Sequence, residues 1–123
     1  MLRTFLRAKI HRATVTAADP NYEGSISIDR ALCQAAGLAE FEQVDIFDIT
    51  NGARFTTYAI YGEEGQIQIN GAAALLARPG DLIIIAAYIA LAPEEIAQHR
   101  ATIVKVDGQN RVTATRVAAV TAP

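Results

Sequence analysis

The sequence contains no tryptophan, one methionine, one cysteine, two histidines and four prolines among 123 residues. A lone cysteine, Cys33, excludes an internal disulfide and suits a reducing compartment. The two histidines, His11 and His99, lie far apart with no cysteine or glutamate at ligand spacing, so no structural metal site is expected. An excess of one charge is also missing. Eleven Lys and Arg against 13 Asp and Glu leave a net charge of −2, with a pI of about 5.6. That balance argues against broad nucleic-acid binding. The longest apolar run, Leu82 to Ala92, falls short of the ~20 residues a membrane span needs. There is no G-x-G-x-x-G, no phosphate-binding P-loop and no G-x-S-x-G elbow. Repeats, linkers and low-complexity segments are absent too.

What is present is 51% hydrophobic and 20% charged. This composition specifies a folded chain rather than a disordered one, and the length fits one domain over residues 1–123. Arg3, Arg7, Lys9 and Arg12, with no acid nearby, superficially suggest an organelle transit peptide. Thr4, Leu6, Ala8 and Ile10, however, alternate with Arg3, Phe5, Arg7, Lys9 and His11. A period of two makes a strand, not the amphipathic helix of a transit peptide. With no secretory apolar region either, the expected location is the cytoplasm.

Short strands dominate the rest. Ala13 to Thr16 continues the first strand, and Asp19-Pro20-Asn21 is a turn. Ile26 and Ile28 alternate with Ser27 and Asp29. Asp29 caps a short helix ending at Ala36, with Gly37 at its C-terminus and Cys33 on the inner face beside Leu32. Val44 to Thr50 is a strand, Asn51-Gly52 a hairpin signal, and Arg54 to Tyr61 the return strand. Gln66 to Ile69 forms another. Asn70-Gly71 opens a small-residue segment that Pro79-Gly80-Asp81 closes. Leu82 to Leu91, apolar on both faces, is expected to be the most buried strand. A short helix starts at Pro93. Ala101 to Val106 and Arg111 to Val117 flank the turn Asp107-Gly108-Gln109-Asn110. Many short strands in a small chain point to a closed or nearly closed β-barrel.

Four places can carry chemistry, though each singly has an ordinary structural explanation. In Tyr22-Glu23-Gly24-Ser25, a serine hydroxyl follows a carbonyl that glycine leaves sterically open; a turn glycine before a serine looks the same. Lys9 and His11 share one face of the first strand, as a solvated polar face also does. Arg54, Thr56 and Tyr58 share a face of the return strand. Asn70-Gly71-Ala72-Ala73-Ala74 lets a ligand approach the backbone, or simply turns into a short helix.

In this order the stretches Lys9-Ile10-His11-Arg12, Tyr22-Glu23-Gly24-Ser25, Thr50-Asn51-Gly52-Ala53-Arg54-Phe55, Thr57-Tyr58-Ala59-Ile60 and Asn70-Gly71-Ala72-Ala73-Ala74 resemble the bacterial pyruvoyl-dependent aspartate decarboxylases. The resemblance runs from Met1 to about Glu95. It implies a mainly β, double-psi β-barrel with short helices, assembled as a homotetramer with active sites between subunits. It also implies a zymogen that cleaves itself into 1–24 and 25–123, Ser25 becoming a covalent pyruvoyl group. In some members cleavage needs a maturation factor, and spontaneous and assisted cleavage stay open here. The substrate implied is L-aspartate, which becomes β-alanine for pantothenate and coenzyme A. Its amine forms a Schiff base with the pyruvoyl carbonyl, an electron sink with no separate cofactor and no metal.

By the same resemblance Gly24 and Ser25 form the cleavage site and Thr57 takes part in processing. Tyr58 is the proton donor, being protonated at neutral pH. Lys9 and Arg54 hold the two carboxylates, Arg54 bidentately. Thr57, Asn70, Gly71, Ala72 and Ala73 bind and orient the substrate, while His11 and Tyr22 line the site. Phe47 stands where the family pattern has Trp, the turn between Tyr61 and Gln66 is shorter, and alternation puts Thr57 on the face opposite Arg54 and Tyr58. Two other readings keep the fold and change the function: a non-catalytic barrel serving as an interaction module, and an enzyme in which Lys9 itself forms the Schiff base.

Overall fold

In the computed structural model, which describes residues 1–121, nine strands and three short helical segments follow one another. They are β1 (Arg3–Thr14), β2 (Ala17–Asp19), β3 (Ser25–Asp29), α1 (Arg30–Ala36), β4 (Gln43–Asp48), β5 (Arg54–Gly62), β6 (Ile67–Asn70), a 3-10 turn (Gly71–Leu75), β7 (Leu82–Leu91), α2 (Pro93–Ile96), β8 (Arg100–Val106) and β9 (Val112–Ala119). The strands are ordered β2-β6-β3-β5-β4-β7-β1-β8-β9. β1 and β2 are one run of chain interrupted only by Val15 and Thr16. β1 lies against β7 while β2, the edge strand, lies against β6, so the chain itself joins the β2 edge back to β1 on the far side of the sheet. Thr16 tightens the join, its N–H and Oγ1 both donating to Ile67 O at 2.8 and 3.0 Å. The result is the expected mainly β barrel with short helices, to which the β8–β9 hairpin is appended along β1.

Alternation builds the core. Ile10, Ile26, Ile28, Ile46, Ile67, Ile69, Ile83 and Ile85 all point inward and are 0–1% exposed. β1 carries two register shifts, between Leu6 and Ala8 and between Ile10 and Ala13, and at the second the inward positions step by three, from Ile10 to Ala13. Arg12, with φ 64°, sits in the second as the bulged residue. Arg7, in the first, reaches sideways to Glu42 at 2.6 Å and to Gly37 O at 3.1 Å, tying β1 to the end of α1. Helix α1 is terminated as its sequence dictates: Asp29 Oδ1 accepts from Ala31 N at 2.7 Å, and Gly37 has φ 72°. Cys33 is buried, and burial pushes its thiol up to about 11, which leaves it inert. No described helix is long and apolar enough to cross a membrane.

Two expectations need correction. β7 is not the most buried strand: Tyr88, Ile89 and Ala90 are exposed, whereas every residue of β3 is buried. β7 is long enough to run past the barrel, so its apolar end has no neighbour on one face. β3 sits between β5 and β6, deep in the sheet. The strand from Val44 also stops at Asp48, not Thr50. Asp48 Oδ1 accepts from Thr50 N at 2.9 Å and Asn51 N at 3.2 Å, folding those residues into a loop before Gly52 at φ 80°. The hairpin is therefore longer than a two-residue Asn-Gly turn.

That loop is sewn to the start of β7. Ile49 N donates to Leu82 O, Leu82 N to Thr50 Oγ1, and Asn51 Nδ2 to Leu76 O. Between the two segments lie Asp48 and Asp81, only 2% and 8% exposed. Asp48, whose Oδ2 is buried without a hydrogen-bond partner, is held above the ordinary carboxylate range by burial and then by the neighbouring Asp81 carboxyl, which is itself held below that range by the same proximity. A carboxyl pushed up favours the folded state while protonated, and that advantage fades as pH rises from the ordinary carboxyl value to the raised one. Asp48→Asn keeps the acceptor for Thr50 and Asn51 and supplies an N–H to Asp81. Thermal unfolding followed across pH is expected to show a midpoint a few degrees higher than the parent at pH near 7, the gain vanishing toward pH ~4.

Candidate active site

β3 and β6 run antiparallel with Ser25 opposite Asn70 and Ser27 opposite Gln68. Because Ile26 and Ile28 face the core, Ser25 and Ser27 turn away from it, yet both are buried, Ser25 to 1% exposure. Asn70, 0% exposed, donates from Nδ2 to Ser25 Oγ at 3.0 Å and to Ser27 Oγ at 3.1 Å. Ser25 Oγ in turn donates to Glu23 O at 3.0 Å. The hydroxyl is thus fixed at both its oxygen and its proton.

Gly71 and Gly24 meet backbone to backbone. Gly71 has φ +73°, and a Cβ there would lie 2.6 Å from Gly24 Cα and 2.9 Å from Gly24 N. Only glycine allows this approach. Gly24 is different: no atom stands within 4 Å of where its Cβ would be, and its φ lies outside the left-handed region. The fold therefore does not demand glycine at position 24, and what the glycine provides is an unshielded carbonyl. Tyr22, two residues before it, is exposed. Ala72 is exposed and Ala73 packs partly against the core from the 3-10 turn.

β5 lies parallel to β3, with Ile26 opposite Ala59. One step earlier, Ser25 corresponds to Tyr58, so Tyr58 starts beside the serine on the same outer face. Thr57 falls on the inner face opposite Val44, as alternation predicts. At this end of the barrel the two nevertheless line one cleft of about 470 Å³ with Phe41, Gln43 and Thr56. Phe41, at φ 70°, brings its ring to 6.2 Å from that of Tyr58.

The cations lie elsewhere. Arg54 stacks its guanidinium 4.4 Å over the Phe47 ring, an aromatic contact that needs no indole N–H. Asp45, Phe47, Arg54, Thr56 and Tyr88 border a depression of about 360 Å³. Cross-strand pairs carry this face further: Thr56 to Asp45, Asp45 to Ala86, Ala86 to Lys9. Lys9 and Arg54 therefore share one outer face, with Arg54 leaning over β4 toward β1. At about 3.3 Å per residue, Arg54 is ~13 Å down β5 from the level of Ser25, and Lys9 is four strands, ~19 Å, across. His11, opposite Lys105 on β8, borders a separate cleft with Arg12 and Lys105. Its imidazole is held below its ordinary value, chiefly by burial and then by the charges of Lys9, Arg12 and Lys105. One barrel thus presents two separate sets, the serine with its donors and the cations.

Sequence reasoning missed Gln66 and Gln68, which extend the hydrogen bonding of Asn70 along β6. Their signal was the alternation of amides with Ile67 and Ile69. Among the described residues no group of three or more His, Cys, Asp or Glu side chains is placed to hold a metal ion.

The sequence profile of the family described as Aspartate decarboxylase matches residues 1–113, reaching past the resemblance noted to about Glu95 and into β9. Curated relatives named Aspartate 1-decarboxylase are similar over nearly their whole length. That of Hydrogenobaculum sp. is 54% identical over 112 residues, 91% of this chain and 90% of the relative. That of Bdellovibrio bacteriovorus is 52% identical over 113 residues, covering 92% and 91%. That of Psychromonas ingrahamii is 50% identical over 117 residues, covering 94% and 93%. With a family profile spanning most of the chain and relatives at half identity or better, this chain belongs to the aspartate decarboxylase family.

Proposed function

We propose that this chain cleaves itself between Gly24 and Ser25 and, so matured, converts L-aspartate to β-alanine and carbon dioxide, in the cytoplasm, for pantothenate and coenzyme A synthesis. Family membership supports the decarboxylation. One local observation supports the cleavage: a buried serine with an amide donor on its oxygen follows a glycine that the fold does not itself require.

In the first step Ser25 Oγ attacks the Gly24 carbonyl carbon. The hydroxyl proton leaves, the peptide C–N bond breaks, and an ester replaces the amide while the Ser25 nitrogen becomes an amine. Loss of the Ser25 Cα proton then expels Gly24 as a carboxylate. Hydrolysis of the dehydroalanine releases ammonia and leaves a pyruvoyl group at residue 25. No oxidant or reductant is needed. The cradle fits a carbonyl group at residue 25, since Asn70 offers an N–H there, while Gly71 meets the adjoining Gly24 backbone without a side chain. The pyruvoyl carbonyl supplies the electrophile that takes up the substrate amine and the electrons released with carbon dioxide.

The remaining roles fall to side chains. Arg54 and Lys9, cations sharing one outer face, each neutralise one substrate carboxylate. Tyr58, beside Ser25 in the strand register, returns a proton to the product carbon. Thr57 assists cleavage and, with Asn70, Gly71, Ala72 and Ala73, seats the substrate. His11 and Tyr22 line the rim. Because the cations stand far from Ser25 within one barrel, the cation face of one copy completes the serine site of another, as a homotetramer allows. The exposed apolar end of β7, Tyr88 to Ala90, is suited to such a contact. A maturation factor is a further candidate partner for the uncleaved chain.

Intact mass of denatured protein, before and after warming, tests cleavage. Two fragments, 1–24 and 25–123, are expected, the larger lighter by one ammonia than a serine-ended chain; its residues 122 and 123 lie outside the described residues. Ser25→Ala stays whole. A parent that remains a single species overturns the reading. Reductive trapping with aspartate is expected to label residue 25 in the parent and, at raised aspartate to offset the lost carboxylate contact, still residue 25 in Lys9→Ala, whereas a label on Lys9 in the parent supports the lysine enzyme instead. Arg54→Ala is expected to lower kcat/KM about 10²-fold or more in a β-alanine assay, through loss of a charge-assisted bidentate contact. Gly71→Ala, strained in backbone and crowded against Gly24, is expected to lose about 1–3 kcal/mol of stability in denaturant unfolding and to slow cleavage.

A further inference from the structure

Gln66, Gln68 and Asn70 alternate with Ile67 and Ile69, which are fully buried in the core, so the three amides share the opposite face of β6. They are joined head to tail. Gln66 Nε2 donates to Gln68 Oε1 at 3.2 Å, Gln68 Nε2 to Asn70 Oδ1 at 2.8 Å, and Asn70 Nδ2 to Ser25 Oγ at 3.0 Å. The direction of the chain is set at its far end. The backbone N–H of Glu63, which can only donate, reaches Gln66 Oε1 at 2.8 Å. Gly62 leaves room for that oxygen, since a Cβ there would lie 2.7 Å from it. With Gln66 Oε1 occupied as acceptor, its NH2 must face Gln68. The NH2 of Gln68 must then face Asn70, and that of Asn70 must face Ser25. Reversing a single link would set two carbonyls or two NH2 groups against each other.

We propose that Gln68, oriented from Glu63 through Gln66, is a positioning residue for self-cleavage, holding Asn70 with its NH2 group on Ser25 Oγ. The inference rests on Gly24–Ser25 being the cleavage site. The hydroxyl proton leaves first, so Oγ carries negative charge until it bonds to the Gly24 carbonyl carbon and passes that charge to the carbonyl oxygen; the C–N bond then breaks as the nitrogen takes up a proton. An N–H aimed at Oγ stabilises that charge. Asn70 turned the other way would present Oδ1 instead, repel the charge and hold the hydroxyl proton in place. The serine is therefore poised by a backbone N–H in the turn that precedes β6, through side chains that never touch the scissile bond. The readout is an orientation, so it responds to the polarity of the relay and not merely to whether the strand face is filled.

Gln68→Glu and Gln66→Glu test this, being nearly isosteric and reversing polarity. At position 68 a carboxylate still accepts from Gln66 but cannot donate to Asn70. At position 66 it still accepts from Glu63 N but cannot donate to Gln68, so both later amides turn over. Cleavage followed by intact mass is expected to slow by about tenfold or more in Gln68→Glu and measurably in Gln66→Glu at neutral pH. In both, the rate relative to the parent is expected to recover as pH falls toward ~4, where the introduced carboxyl regains a donor proton. Gln68→Met, which only removes the link, is slowed less and shows no such recovery. The two glutamate variants are independent, so one that fails to fold leaves the other to decide, with thermal midpoints reporting folding. A parent that cleaves while the folded glutamate variants match its rate, or match Gln68→Met at every pH, overturns this inference alone. A parent that never yields the two fragments overturns the cleavage reading and this inference with it.

Discussion

The backbone of Gly71 rests against that of Gly24, and the geometry around Ser25 follows from that contact. It can exist only because β3 and β6 are in register from Ser25–Asn70 to Ile28–Ile67 and because Gly71 takes a left-handed conformation immediately afterward. The same register that buries Ile26, Ile28, Ile67 and Ile69 sets Asn70 over the serine. Core packing and the setting of Ser25 are therefore one construction. A slip of one residue would turn the isoleucines outward and remove the amide from Ser25 together.

The barrel separates two kinds of chemistry. Around Ser25, Ser27, Gln68 and Asn70 the outer face of β3 and β6 is uncharged and hydrogen-bonded throughout, with the Asp29 carboxylate at its far end taken up by Ala31 N and Gly65 N, the setting in which a hydroxyl can be oriented against a peptide carbonyl. Across β5, β4, β7 and β1 the outer face carries Arg54 and Lys9, opposed by Asp45, which is engaged by Thr56 Oγ1 at 2.6 Å. On the proposed function, a neighbouring copy would bring these cations to the two carboxylates of the substrate. In this reading, separation inside one protomer and convergence between protomers serve the two stages of the protein's life.

Much of this was legible in the residues. Asp29 and Gly37 bracket α1 as their side chain and φ require, and the alternation that put Thr57 across from Arg54 and Tyr58 holds in β5. The boundaries that went astray did so for local reasons. Asp48 captures two N–H groups beyond its own strand, and β7 outruns the barrel that would have buried its end. What could not be read was relational. Lys9, Arg54 and Ser25 belong to one motif set, but their placement on different faces emerges only from the strand order. The amides of Gln66, Gln68 and Asn70 are visible as an alternating trio, whereas the sense in which they point depends on the Glu63 N–H, whose position is set by the turn between β5 and β6.

The seam by which β1 runs into β2 has a consequence for the order of events in time. Residues 1–24 supply the strand that lies between β7 and β8 and then crosses to β6, so they hold the β2 edge of the sheet to its far side. While the chain is continuous, that strand is delivered by a short tether at a high effective concentration. On the proposed cleavage of the Gly24–Ser25 bond, re-forming these contacts after dissociation would become a bimolecular encounter. Maturation would then be a ratchet: a barrel taken apart after the cut would meet a dilution-dependent barrier that its precursor never faced.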